Sequence, residues 1–101
     1  MLRNSLTGKQ KRFLRSMGVK LEPVVQMGKD GLTPNVVTAA REAIEKRELI
    51  KVRVLQNCLE DPEAVITMLA ERADANLVQV IGRNGLLFKR NFKKPKIELP
   101  K

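Results

Sequence analysis

Three helix starts are written into this chain, and a run with strand character follows each of them. No other feature restricts the fold as much as that alternation. Thr7-Gly8-Lys9-Gln10 fits a capping box, in which the threonine oxygen and the glutamine side chain each serve a backbone group that the first helical turn leaves unpaired. Thr33-Pro34 joins a cap to a first-turn proline, whose missing N–H is no loss at that position. Asp61-Pro62 repeats the device, so the nearby carboxylates Glu60 and Glu63 read as an acidic first turn rather than as catalytic groups.

The first helix is expected from Thr7 to about Val19, with Phe13, Leu14 and Met17 on its apolar face and Lys11, Arg12 and Arg15 opposite. Phe13 is assigned to the core. The second opens at Thr33-Pro34 with an apolar stripe of Val36, Val37, Ala40, Ala43 and Ile44. The third runs from about Pro62 to Asp74 and buries Val65, Met68 and Leu69.

Between and after them lie four strand candidates. Pro23 to Met27 is valine-rich and led in by proline. Leu49 to Leu55 alternates, with Ile50, Val52 and Val54 on one side and Lys51 and Arg53 on the other, which is how a half-buried strand reads. Leu77 to Ile81 and Leu86 to Arg90 flank Gly82-Arg83-Asn84-Gly85, where Asn84-Gly85 reads as the turn of a tight hairpin. The order is α-β-α-β-α-β-β. Helical crossovers favour parallel neighbours, and the last pair must be antiparallel. The fold class expected is therefore α/β: a two-layer domain over residues 1–101, with a four-stranded mixed sheet and one face incompletely covered by helices. Residues 91–101 form an extended basic tail.

What such a domain does is constrained first by charge. Twenty Lys and Arg stand against eleven Asp and Glu, a net +9. Residues 1–20 carry six basic and no acidic side chains; residues 82–101 carry seven basic and one acidic. Residues 57–76 are acidic, five against one, and would face away from a polyanion. An uneven excess of this kind attracts polyanions, nucleic acid foremost and an anionic membrane surface second. There is no apolar run of membrane-spanning length and no signal-peptide core near the N-terminus, so a cytoplasmic location is the expectation.

Histidine is absent, and Cys58 is the only cysteine. His-based nucleophile designs, intrachain disulfides and multi-cysteine metal sites are thereby excluded, and no catalytic, metal or cofactor residues are assigned. Walker A and dinucleotide-binding glycine patterns are also missing.

The binding candidates are loops and faces. Gly28-Lys29-Asp30-Gly31 sits between a strand and a helix start, where two glycines permit close approach of backbone to ligand and the helix start offers N–H groups to phosphate. It resembles the Gly-x-x-Gly clamp of KH domains, although an ordinary turn has the same spacing. Arg83, at the tip of the second Gly-x-x-Gly, is a further candidate. Lys9, Lys11, Arg12 and Arg15 lie within or beside one acid-free arc of the first helix, whereas ordinary solvated faces mix signs. Lys51 and Arg53 stand on the wet side of a strand, and Lys89 would join them if the last strand is a neighbour; solubility of an exposed sheet explains them equally well. The aromatics are only Phe13, Phe88 and Phe92, too few for an aromatic base-stacking platform, so binding should rest on backbone charge and shape.

Taken together, Thr7-Gly8-Lys9-Gln10-Lys11-Arg12, Pro23-Val24-Val25, Gly28-Lys29-Asp30-Gly31-Leu32-Thr33, Glu48-Leu49-Ile50-Lys51-Val52, Val80-Ile81-Gly82-Arg83 and Lys96-Ile97-Glu98-Leu99-Pro100 resemble the CRM domain of YhbY-like proteins. The resemblance covers nearly the whole chain, in order. It implies a fold similar to the C-terminal domain of translation initiation factor three, and association with RNA of the large-ribosomal-subunit precursor during assembly. It also implies that the family's Gly-x-x-Gly loop corresponds to Gly28–Gly31. Phe88 departs from the family, where tyrosine is frequent. The expectation is a monomeric, non-catalytic RNA-binding protein without cofactor or small-molecule substrate. The alternative is a protein-interaction module on the ribosome; duplex DNA binding lacks a helix-turn-helix.

Overall fold

The computed structural model describes residues 6–100. The elements follow the expected order: α1 (Gly8–Gly18), β1 (Pro23–Met27), α2 (Pro34–Arg47), β2 (Leu49–Val54), α3 (Pro62–Arg72), β3 (Asn76–Ile81) and β4 (Asn84–Phe88). All three helix starts form as the sequence indicates. Thr7 accepts the Gln10 N–H while Gln10 Oε1 accepts the Thr7 N–H, Thr33 accepts from Val36, and Asp61 accepts from Ala64.

The sheet is four-stranded and mixed, in the order β1-β2-β4-β3. β1 and β2 are parallel; β4 runs antiparallel to both β2 and β3, and lies between them. The C-terminal ends of β1, β2 and β3 consequently share one rim of the sheet. The loops Gly28–Gly31, Leu55–Glu60 and Gly82–Arg83 all leave from that rim.

Two apolar clusters separate the faces. Ile50, Val52, Val54 and Leu87 pack with Ala40 and Ile44 of α2 and Val65, Ile66 and Leu69 of α3. On the other face, Leu49, Val78, Leu86 and Phe88 pack around Leu14 of α1, joined by Leu21, Ile97 and Leu99. α2 and α3 thus make the helical layer, while α1 and the C-terminal segment cover only part of the opposite face. Gly18 lets α1 come close to β4, because a Cβ there would fall 2.7 Å from Leu86 Cδ2.

Four local expectations need correction. Phe13 and Met17 are each 37% exposed and flank the buried line of Leu14 and Gly18 instead of sharing it. A helix lying on half a sheet face buries a narrow stripe, and Leu14 and Gly18 are nearest the sheet. Met68 is likewise 43% exposed, while Ile66 and Ala70 take the inward positions. The hairpin turn is Gly82-Arg83, not Asn84-Gly85: Ile81 pairs with Asn84, and the positive φ of 58° falls at Gly82. Gly85 lies within β4, where a Cβ would come 2.6 Å from Ile66 Cγ2, so its small size serves helix packing and not the turn. Finally, Lys89 lies beyond β4 and pairs with Asp74 at 3.3 Å. It therefore does not join Lys51 and Arg53, although β2 and β4 are neighbours.

Candidate nucleic-acid interface

The half-covered sheet face collects Arg15, Lys51 and Arg53 of the expected contact residues. Arg15 and Lys51 line one cleft of about 180 Å³ between the end of α1 and the sheet, together with Val19, Gln79, Ile81 and Asn84. Pairing register extends this cleft toward the rim. Gln26 is opposite Arg53, Arg53 opposite Asn84, and Asn84 opposite Ile81, which sets these four side chains in a row across the whole sheet. Arg53 is exposed and Lys51 half-buried.

Lys11 and Arg12 are exposed on the flank of α1 that also carries Arg15, by helical spacing from the buried Leu14. Lys9 is exposed further round the helix. Among the described residues the only ion pair is Lys89–Asp74. Lys9, Lys11, Arg12, Arg15, Lys29, Lys51 and Arg53 accordingly hold no carboxylate within bridging distance, and their charge is available to a ligand.

The turn Gly28–Gly31 closes through the Gly31 N–H on the Gly28 carbonyl at 2.9 Å. Gly31 has φ 64°, and a Cβ there would collide with the Glu60 carboxylate, so glycine is required on two counts. Lys29 and Asp30 are exposed at the tip. The helix start behind it offers fewer donors than expected: Pro34 has no N–H, and the Val36 N–H is taken by Thr33. Phosphate capture at this loop would fall mainly to Lys29 and the turn backbone. Arg83 is committed in part, because its guanidinium donates to the Leu55 carbonyl at 3.0 Å and ties the hairpin tip to the neighbouring loop. The Val54 N–H on the Arg83 carbonyl, at 2.7 Å, holds the same junction.

Sequence reasoning missed Gln26, Gln79 and Asn84, the amides beside the cations. Asn84 was concealed by the turn assignment. Gln79 was concealed by the register shift between Leu77 and Gln79, which breaks the simple alternation along β3. It also missed Glu48, a buried acid just after α2. Among the described residues no group of three His, Cys, Asp or Glu side chains converges as metal ligands, and no helix is long and apolar enough to cross a membrane.

Comparison with known proteins agrees with this architecture. The CRS1/YhbY (CRM) domain model matches residues 6–89. The chain is 50% identical over 95 residues to the protein named "Probable RNA-binding protein YqeI" of Bacillus subtilis, covering 94% of this chain and 99% of that one. It is 36% identical over 97 residues to a Haemophilus influenzae protein named RNA-binding protein, covering 96% and 97%. The solution structure of SAV1595 from Staphylococcus aureus, described as a candidate RNA-binding protein, superposes with a TM-score of 0.79 at 42% identity, covering 95% of this chain and 100% of that one.

Proposed function

The chain belongs to the CRS1/YhbY (CRM) domain family, and on that premise we propose that it binds structured RNA by gripping the sugar-phosphate backbone with the half-covered sheet face and its rim. The observation that carries this reading is the convergence of Arg15 and Lys51 in one cleft, continued by the Gln26–Arg53–Asn84 row, with no carboxylate paired to any of the cations. Lys and Arg supply the electrostatic attraction. The amides of Gln26, Gln79 and Asn84 can donate to phosphate or accept from a 2′-hydroxyl, which distinguishes RNA from DNA.

The specific partner we propose is RNA of the large-ribosomal-subunit precursor, with a role in assembly and no catalysis, and hence a cytoplasmic, precursor-associated protein. Family resemblance and the names of the relatives support RNA; the large-subunit assignment rests on the family resemblance alone. In this reading the protein acts as a monomer. The deciding measurement is affinity for a large-subunit precursor transcript across a salt series. Phosphate contacts release counterions, so log K should fall linearly with log salt. A flat response overturns the mechanism. Binding only in the presence of ribosomal proteins would instead favour a protein-docking role.

A further inference from the structure

We propose a second RNA contact at the opposite end of the molecule, where the groove between the C-terminal half of α2 and the segment following β4 takes an unstacked nucleobase against Phe92. This rests on the reading of the chain as an RNA-binding protein and adds to it a single-strand site distinct from the sheet face.

The groove has a volume of about 510 Å³ and is lined by Ile44, Ala73 and Phe92, with Arg41, Arg90 and Lys93 among its charged residues. Sites for small flat ligands fall in this range of size and combine apolar walls with a few polar groups. Phe92 is 68% exposed in a chain with three aromatic residues, whereas Phe88 is fully buried. A ring left in water beside cations is what a base needs on its two sides: a π-face to stack on and positive charge for the flanking phosphates. Among the described residues Glu45 is the only carboxylate lining the groove, and Asp74 is already engaged with Lys89.

The site is also held in shape before any ligand arrives. Asn91, next to Phe92, donates its backbone N–H to the Glu48 carboxylate at 2.7 Å and its side-chain amide to the Glu45 carbonyl at 3.0 Å. Its side-chain oxygen accepts the N–H groups of Lys93 and Lys94 on the other side of the ring. The backbone on both sides of Phe92 is therefore fixed, which lowers the ordering cost of binding. α2 has 14 residues and runs from the glycine loop to this end. At ~1.5 Å per residue the glycine loop and the far end of α2 stand roughly 20 Å apart, far enough to engage different segments of one RNA.

The chain contains no tryptophan, so Phe92→Trp places a sole reporter in the groove. Titration with a short single-stranded oligoadenylate should quench its fluorescence, and the blunt duplex of equal length should not. Phe92→Ala should weaken oligoadenylate binding by about tenfold, the scale of one stacked base. Phe92 is exposed, so neither variant is expected to unfold the domain. An unquenched tryptophan, with Phe92→Ala binding the oligonucleotide as the wild type does, overturns the groove as a base site while leaving the sheet-face reading intact. Absence of binding by the wild type to both the oligonucleotide and precursor RNA overturns the RNA reading itself, and this proposal with it.

Discussion

Glu48, wholly buried at the end of α2, accepts the backbone N–H of Ile97 at 2.7 Å across 49 residues of sequence. The same carboxylate accepts the Lys96 N–H at 2.6 Å and the Asn91 N–H at 2.7 Å. It is the one buried charged residue among those described, and it holds φ 64°. An acid can remain buried there because three N–H donors replace its water. By pinning the segment after β4, it sets Ile97 and Leu99 against the α1 cluster, and Gln10 of α1 completes the attachment by donating to the Pro100 carbonyl at 3.0 Å. The expected basic tail is thus docked along the domain.

Glu48→Gln should cost about 2–3 kcal/mol, because an amide NH₂ must replace one oxygen and then faces an N–H donor. Urea unfolding would show it, and amide exchange at Asn91, Lys96 and Ile97 should accelerate. Unchanged stability and exchange would mean that the tail is held by its apolar contacts alone.

The glycines offer an internal comparison. Gly31→Ala should destabilise by about 1–3 kcal/mol, since positive φ and the Glu60 carboxylate both oppose a Cβ. Gly82→Ala shares the positive φ but has open space around it, so its cost should stay near 1 kcal/mol. Equal losses in thermal melts would show that Glu60 swings away freely.

Joint replacement of Arg15 and Lys51 by alanine should weaken binding to precursor RNA and flatten its salt dependence by roughly 0.7–0.9 in slope for each phosphate that is no longer neutralised. The fold should persist, since neither side chain belongs to an apolar cluster. A parallel loss from Arg41 and Lys93 replacements, with Arg15 and Lys51 silent, would move the principal site to the far groove.

Lys29→Glu should lower RNA affinity with no change in melting temperature, because Lys29 is exposed and unpaired among the described residues. Retained affinity would leave Gly28–Gly31 as a structural turn whose glycines answer only to Gly31 geometry and Glu60.

The element order and strand count, the three helix caps and the inward set Ile50, Val52 and Val54 could be read from the chain, since each is set by interactions within a few residues or by local periodicity. The candidate interface was legible by composition, through Arg15, Lys51 and Arg53, but not by arrangement. Asn84 joined it only because the turn lies at Gly82-Arg83, which leaves Gly85 within β4 against Ile66 of α3. Phe13 and Met68 were misjudged because helical spacing identifies an apolar side but not how wide a stripe the sheet will cover.

Sequence alone thus determined the local grammar of this protein, its alternating elements and its concentrated positive charge, because caps and periodic patterns act over a few bonds. Only the tertiary structure decided that β4 inserts between β2 and β3, that α1 lies across from α2 and α3, and that Glu48 captures the tail. Those outcomes depend on which distant surfaces bury together, and partners tens of residues apart leave no periodic trace along the chain.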